Sequence, residues 1–232
     1  MSRTALKSKD RVRPSPVVRP GAGPLTELVI SSDPYGGRAE AVRSLQTHIM
    51  AQHVALGRRA LAVCAPTIDS GCTFIAANLA VAFSQVGLKT LLIDGDMRGV
   101  GIETVIAPRD SGIGLRQYLT SPDPDLVANI ESNVLPNLSL LHSGGPVNNA
   151  LELLGDDRFE TLIAACMRDF DLTIIDTPPA NVGADALRIG AVAGYGLVVA
   201  RRNRTFVNDI KTLQAEMAAD GMRLIGSVLV EA

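Results

Sequence analysis

The chain has 232 residues, 47% of them hydrophobic, and a formal net charge of −2. This length allows one well-packed domain with a tail and excludes two large domains. The near-neutral charge gives no general attraction to nucleic acid, so no nucleic-acid partner is expected. No apolar run reaches the roughly 20 residues that span a bilayer, and the three cysteines lack metal-ligand spacing, which together predict a cytoplasmic protein.

The N-terminal residues 1–27 differ in composition from the rest of the chain. The first twenty residues carry six Lys or Arg against one Asp and are interrupted by prolines. Such a segment cannot bury enough apolar surface to fold, so we predict a disordered, basic, proline-rich arm over 1–27. It is either a solubilising tail or a contact with an acidic partner or an anionic membrane surface.

Residues 28–232 alternate between two kinds of apolar pattern. Runs of strand length lie at 59–65, 89–94, 137–142, 171–176, 195–200 and 223–230. Helical patterns lie at 38–55, 73–87, 157–170, 183–193 and 206–221. Strands separated by helices, with continuous rather than alternating hydrophobicity, predict an α/β fold of three layers with a mostly parallel central sheet.

The segment CAPTIDSGCT, residues 64–73, joins the first strand to a helix that is apolar on nearly all sides. A phosphate-binding loop requires this context. Against the pattern G-x-x-x-x-G-K-[ST], Gly71 and Thr73 match, while Pro66 replaces the first glycine and Cys72 the lysine. Taken alone, so partial a match favours an ordinary turn between strand and helix.

Two further strands end in acidic residues. LLIDGDMRG, residues 91–99, contains Asp94 and Asp96, and DLTIIDTPPA, residues 171–180, contains Asp176. The carboxyl ends of parallel strands meet at one edge of the sheet. Carboxylates there suit Mg²⁺ or a base that accepts a hydroxyl proton, whereas each segment alone is also compatible with a solvated strand end. The three segments in this order predict a nucleotide site.

These motifs resemble the bacterial tyrosine-kinase (BY-kinase) domain of capsule and exopolysaccharide systems, of the CpsD/CapB type, within the wider MinD/ParA-like group of P-loop proteins. LLIDGDMRG resembles that family's Walker A′ motif and TIIDTPPA its Walker B motif. The resemblance covers about residues 28–232. Three flanking segments extend it: DPYGGRAEAVRSLQTHI, GLRQYLT and HSGGPVNNALELLGDDRFETLI. It implies a P-loop NTPase-like fold.

The resemblance also implies roles for the acidic residues. Asp94 would be the catalytic base and a metal contact. Asp96 and Asp176 would be carboxylates around Mg²⁺, and the Thr73 hydroxyl would bind the same ion. The implied cofactors are ATP and Mg²⁺.

The nucleotide-binding residues implied by the resemblance are Gly71, Cys72, Thr73 and Arg98. Cys72 stands where the family has the lysine that grips phosphate, and Asp69 adds negative charge beside the expected phosphates. Binding of ATP and Mg²⁺ is therefore expected to be weakened or absent.

Another cation could replace the missing lysine. The candidates are Arg98 and three arginines of the segment VVARRNRT, namely Arg201, Arg202 and Arg204. All follow strands at the same edge of the sheet. The alternative is that they are solvated surface residues.

The helix at 38–55 resembles the segment that carries the family's E-x-x-R-x-x-R pattern, which is associated with ring formation. Glu40 and Arg43 match this pattern, whereas Gln46 replaces the second arginine. A homo-oligomer formed through this helix is one expectation, and an ordinary surface ion pair is the other. The chain ends at GSVLVEA, and we expect it to lack the family's C-terminal tyrosine cluster.

Three hypotheses of function follow from the resemblance. The first is a regulatory component of polysaccharide biosynthesis and export, impaired in phosphoryl transfer, that docks on the cytoplasmic end of a membrane polysaccharide co-polymerase and is recruited to the inner face of the plasma membrane. The second is an active ATP-dependent protein tyrosine kinase or ATPase with a non-standard phosphate-binding loop. The third is a ParA/MinD-like positioning switch.

Overall fold

A seven-stranded sheet forms the centre of the protein. The structure, a computed structural model, describes residues 27–110 and 112–231, so the predicted arm at 1–27 lies outside the described residues apart from Glu27. The strands are β1 (Ala60–Cys64), β2 (Thr90–Asp94), β3 (Glu131–Leu135), β4 (Leu138–Leu141), β5 (Leu172–Asp176), β6 (Tyr195–Arg201) and β7 (Arg223–Val230). Their order across the sheet is β3-β4-β2-β5-β1-β6-β7. Neighbouring strands are parallel except for β3 and β4.

Helices connect the strands and cover both faces of the sheet. They are α1 (Val29–Ser32), α2 (Gly37–Gln52), α3 (Cys72–Gln85), α4 (Leu115–Thr120), α5 (Leu126–Asn129), α6 (Ala150–Gly155), α7 (Asp157–Asp169), α8 (Asp185–Ala193) and α9 (Val207–Ala219). Single 3₁₀ turns occur at Val54–Leu56 and Ile102–Thr104. No helix of the described residues is both long enough and apolar enough to cross a bilayer.

The central strands are buried on both sides, which explains their continuous hydrophobicity. Every residue of β1, β2 and β5 is buried. Leu61 and Val63 of β1 pack into a core with α1, α2 and α3, whereas Ala60 and Ala62 pack on the opposite face with α4, α6, α7, α8 and α9. Side chains of a strand alternate between its two faces, so one strand serves both cores. The predicted three-layer α/β fold is confirmed.

The predicted elements correspond closely to those observed. All six predicted strands and all five predicted helices are present, with ends displaced by at most three residues. The strand that sequence reasoning missed is β3, whose sequence ESNVL has no apolar run and includes Asn133 at a φ of 54°. It pairs with β4 at the edge of the sheet, where one face needs no apolar cover. Helices α1, α4, α5 and α6 have four to six residues, too few for a periodic pattern.

The outer face of α2 carries the residues of the predicted oligomer contact. Glu40 and Arg43 form an ion pair within the chain at 3.7 Å, and Arg43 also donates to the carbonyl oxygen of Pro34 at 2.6 Å. Gln46 is buried and donates its side-chain amide to the carbonyl oxygen of Ala82 in α3 at 3.0 Å. Gln46, the third position of the pattern, therefore points toward the core. Oligomerisation through α2 stays a prediction.

The register of the sheet brings the acidic segments together. Asp176 at the end of β5 is opposite both Val63 of β1 and Asp94 of β2. The loop that leaves β1 and the acidic ends of β2 and β5 thus meet at the carboxyl edge, as predicted.

Candidate functional site

The loop between β1 and α3 presents the start of a buried helix at this edge. Gly71 caps α3 with φ 88° and ψ 24°, a left-handed conformation that favours glycine. The first backbone N–H groups of a helix have no partners within the helix. Those of Gly71, Cys72 and Thr73 donate to no other described residue. Such free N–H groups attract anions, so the loop has hydrogen-bond donors of the kind that a phosphate-binding site requires.

Cys72 is turned away from this loop. Its Sγ donates a hydrogen bond to the carbonyl oxygen of Val63 at 2.9 Å, and its side chain is buried. Burial raises the pKa of the thiol well above its usual value, and the nearby Asp176 carboxylate raises it further. A neutral, inward-facing thiol therefore occupies the position at which the resemblance places a lysine.

Thr73 and Asp176 are brought into direct contact. The Thr73 hydroxyl donates to Asp176 Oδ2 at 2.6 Å. Asp176 is fully buried, and its Oδ1 has no hydrogen-bond partner. Burial raises the pKa of Asp176 to about 7. A buried carboxylate oxygen without a donor favours a proton or a cation at this point.

Asp94 is buried beside Asp176 but is held by the backbone. Its Oδ1 accepts from the N–H of Asp96 at 3.1 Å, and its Oδ2 accepts from the N–H of Ile102 at 3.0 Å. Burial, followed by the charge of Asp176, raises the pKa of Asp94 well above its usual value. The predicted base therefore lies in the site with both carboxylate oxygens already engaged.

The side chains of Asp96 and Arg98 are both engaged by other groups of the protein. Asp96 Oδ1 accepts from the backbone N–H groups of Arg98 at 2.9 Å and Gly99 at 3.0 Å, which closes the loop after β2. The Arg98 guanidinium donates two hydrogen bonds to the Asp185 carboxylate, from Nε to Oδ2 at 2.6 Å and from Nη2 to Oδ1 at 3.2 Å. Arg98 thus joins β2 to the start of α8.

Sequence reasoning missed Asp185 and two glycines. An acidic residue in the first turn of a helix is common, so no pattern in the sequence indicates that Asp185 pairs with Arg98. A Cβ on Gly101 would lie 2.6 Å from Asp94 Oδ1, and one on Gly95 would lie 2.6 Å from the carbonyl oxygen of Asp176. Of the two glycines, Gly95 could have been recognised from the sequence, because it lies between the two acidic residues of the segment LLIDGD. Both glycines let backbone pack against the two acids.

Two of the candidate arginines, Arg201 at the end of β6 and Arg204 after it, contact the loop between β1 and α3. Arg204 Nη1 lies 3.1 Å from Asp69 Oδ2, and Arg201 Nη1 donates to the Asp69 carbonyl oxygen at 3.1 Å. Arg202 instead pairs with Glu231 at 2.7 Å. The predicted replacement cations therefore all have acidic or carbonyl partners, and two of those contacts involve the loop itself.

The donor set fits a magnesium ion with few protein ligands. The described residues contain no group of three or more His, Cys, Asp or Glu arranged to hold a metal. Mg²⁺, however, keeps several waters and uses only one or two protein carboxylates. The Thr73 hydroxyl and the unpartnered oxygen of Asp176 offer such a site, with Asp94 beside them. The assignment of Mg²⁺ ligands stays a prediction.

The combination of a mostly parallel sheet, a strand-to-helix loop and strand-end acids defines the class of fold. The structure of MinD from Pyrococcus horikoshii with Mg-ADP matches the fold with a TM-score of 0.64 and 21% identity over 74% of this chain and 69% of that one. The chain therefore has the P-loop ATPase fold of the MinD/ParA kind.

The homologues of the chain are bacterial tyrosine-protein kinases. It is 26% identical to CapB of Staphylococcus aureus over 88% of this chain and 89% of CapB. It is 30% identical to the tyrosine-protein kinase wzc of Salmonella typhimurium over 88% of this chain but only 28% of wzc. The kinase domain of Escherichia coli ETK matches with a TM-score of 0.79 and 28% identity, over 88% of this chain and 79% of that one. No family model matches the sequence.

The Arg98–Asp185 pair gives a test of the architecture around the site. Asp185 is fully buried while Arg98 is partly exposed. Arg98→Met leaves the Asp185 carboxylate buried without its cation, and we expect the free energy of unfolding to fall by roughly 2–4 kcal/mol. Urea denaturation measures this change. The matched control is Arg168→Met, which breaks the exposed Arg168–Asp169 pair. Equal losses in the two variants would contradict the structural role.

Asp176 gives a pH test. Its pKa is raised to about 7 in the folded protein, so between its ordinary value of 3.8 and about 7 the folded state binds a proton that the unfolded state releases. Stability from this group is therefore present at low pH and is lost as pH rises through about 7.

We expect Asp176→Asn to gain stability relative to the wild type between pH 5 and pH 8, by on the order of 2–4 kcal/mol in the absence of divalent cations. Urea denaturation at both pH values gives the difference. His53, whose pKa is lowered by burial to about 4, has the opposite effect on stability in both proteins and cancels in this comparison. Parallel pH profiles would contradict the prediction.

Proposed function

We propose that the protein is a BY-kinase-like regulatory component of capsule or exopolysaccharide biosynthesis and export, impaired in phosphoryl transfer, that docks on the cytoplasmic end of a membrane polysaccharide co-polymerase. One observation carries this proposal: the Cys72 thiol donates into the sheet, to Val63, where the resemblance places a phosphate-gripping lysine. The connection to polysaccharide systems comes from the resemblance of the motifs and is supported by the similarity to CapB.

Phosphoryl transfer depends on positive charge fixed at the transferring group. Removing one such contact typically costs about a hundredfold to a thousandfold in rate. The Cys72 thiol is neutral, since burial raises its pKa well above the usual value. Asp69 places a carboxylate in the same loop. These features support slow or absent turnover.

The remaining residues still suit binding of a nucleotide with Mg²⁺. Thr73 and Asp176 would hold the ion, with Asp94 and Asp96 nearby, and the N–H groups at the start of α3 would hold phosphate. The bound ion would neutralise charge on the phosphates. Binding without efficient transfer supports a regulatory role.

Docking and membrane recruitment belong to the same proposal. The basic composition of residues 1–27 suits an anionic surface at the inner face of the plasma membrane. Glu40 and Arg43 lie on the outward face of α2 and are available for a contact with a second copy. A charged outer face suits a modest, reversible contact.

The second candidate function is an active ATP-dependent tyrosine kinase or ATPase. The contact between Thr73 and Asp176, with Asp94 in register beside it, favours this alternative. A protein without magnesium chemistry has no evident need for two buried carboxyl groups at this edge, because burying them is costly.

Restoring the lysine distinguishes the two candidates. We expect Cys72→Lys to bind ATP with Mg²⁺ about ten- to a hundredfold more tightly than the wild type, since a charge-assisted hydrogen bond is added. Calorimetry measures binding, and phosphate release measures turnover. Cys72→Ala is the control, because it changes the buried thiol without adding charge. A wild type that turns over ATP as fast as Cys72→Lys would favour the active enzyme.

Polymer output in the producing cell tests the regulatory role. Thr73→Val removes the hydroxyl that contacts Asp176, and Thr73→Ser keeps it. If docking rather than turnover is required, both variants restore polymer to a strain that lacks the protein. Restoration by Thr73→Ser but not by an equally abundant Thr73→Val would show that magnesium chemistry is needed.

A further inference from the structure

Three arginines surround a cavity beside the phosphate loop. The cavity has a volume of about 340 Å³, and its lining residues are Arg201, Arg202, Asn203, Arg204 and Glu231. Arg202 is held by Glu231, whereas Arg201 and Arg204 reach across to Asp69. The loop that lacks a lysine therefore has two guanidinium groups at its rim.

Asp69 makes both of these contacts from an uncommon backbone conformation. Its φ is 56°, a left-handed conformation that aspartate tolerates better than most residues. Its carbonyl oxygen accepts from Arg201, and its carboxylate pairs with Arg204. The loop thus offers the arginines two negatively polarised groups from one residue, much as a phosphate would.

Further contacts hold the two loops against each other. The Ser70 and Thr205 hydroxyl oxygens lie 3.5 Å apart, and Thr205 Oγ1 accepts from the backbone N–H of Arg201 at 2.9 Å. Ser70 also donates to the carbonyl oxygen of Thr67 at 2.7 Å. The arginines are therefore kept next to the start of α3 by the backbone that carries them.

The contact between Asp69 and Arg204 is open to competition. Their side chains are 61% and 57% exposed, and exposed ion pairs of this kind add little stability. A polyphosphate carries more charge than one carboxylate and accepts the paired N–H groups of a guanidinium. A polyphosphate would also accept hydrogen bonds from the free N–H groups at the start of α3.

A second observation points to a ligand at the same place. Asp176 Oδ1 is buried without a partner, close to the Thr73 hydroxyl on the first turn of α3. A divalent cation that accompanies a polyphosphate would satisfy this oxygen. Hydrogen-bond donors that suit an anion, and a carboxylate oxygen that suits a cation, thus lie within one loop and the strand beside it.

We propose that Arg204 and Arg201 supply the positive charge of the phosphate site, and that Asp69 occupies them in the absence of ligand and is displaced by a magnesium polyphosphate. The ligand class is the polyphosphate group of a nucleotide. This inference rests on the proposed function in treating the loop after β1 as a phosphate-binding loop, and it is independent of docking.

Calorimetric titration of the full chain with inorganic tripolyphosphate and with ATP, each with Mg²⁺, tests the proposal. Asp69→Asn, which tolerates the same backbone conformation, removes the competing charge and should tighten tripolyphosphate binding about tenfold. Arg204→Gln should weaken it about tenfold for the loss of one charge-assisted contact. The control variants Arg168→Gln and Asp169→Asn alter an exposed Arg–Asp pair on α7 and should bind as the wild type does.

Three results would overturn the proposal. The first is an Asp69→Asn protein, folded by circular dichroism, that binds no tripolyphosphate at millimolar concentration or binds it no more tightly than the wild type. The second is an Arg204→Gln protein that binds tripolyphosphate as the controls do. The third is an Arg204→Gln protein that loses affinity for ATP alone, since this places the arginine at the base. Rapid ATP turnover by the wild type would overturn the proposed function but not this inference, which tripolyphosphate binding decides.

Discussion

Two carboxyl groups buried side by side constrain the rest of the site. The register of β2 and β5 places Asp94 opposite Asp176 in the interior of the sheet edge, where both cannot be ionised without a nearby cation or donor. Neighbouring groups donate hydrogen bonds to both carboxyl groups. N–H groups of residues 96 and 102 hold Asp94, the Thr73 hydroxyl holds one oxygen of Asp176, and Gly101 leaves room for close backbone contact. One oxygen of Asp176 stays unsatisfied, which marks the place for a proton or a divalent ion.

The same burial explains what the sequence could predict. A strand covered on both faces needs a continuous apolar run, and its end is marked by the first polar residue, so the strands and Asp94 and Asp176 were recognisable. The edge strand β3 is covered on one side only and lacks that signal. Side-chain direction was also hidden, because nothing in the order of residues shows that Arg204 turns toward Asp69, 135 positions away. The sequence suggested which residues approach the edge, but it could not show how they pair.

A cysteine in place of a lysine at position 72 changes the hydrogen bonding at the start of α3 as well as the charge. The carbonyl oxygen of Val63 accepts hydrogen bonds from the Cys72 thiol at 2.9 Å and the Thr177 hydroxyl at 3.0 Å. One carbonyl of β1 therefore connects the first turn of α3 with the segment after β5. A long cationic side chain at position 72 would have to leave this buried contact and turn outward. The small thiol instead bonds the start of the helix to the sheet, and the positive charge near the loop lies at its outer rim, on Arg201 and Arg204.

The position of that charge bears on the choice between a ligand and a substrate. A contact that grips phosphate equally in the ground state and the transition state tightens binding without raising the rate of transfer. Arg204 is exposed and meets its partner at the surface of the loop, so it lacks the fixed, water-excluded geometry with which enzymes stabilise developing charge. A nucleotide held in this way would be bound and retained rather than consumed. By the proposed displacement it would also release Asp69 and so alter the contact between the loops after β1 and β6.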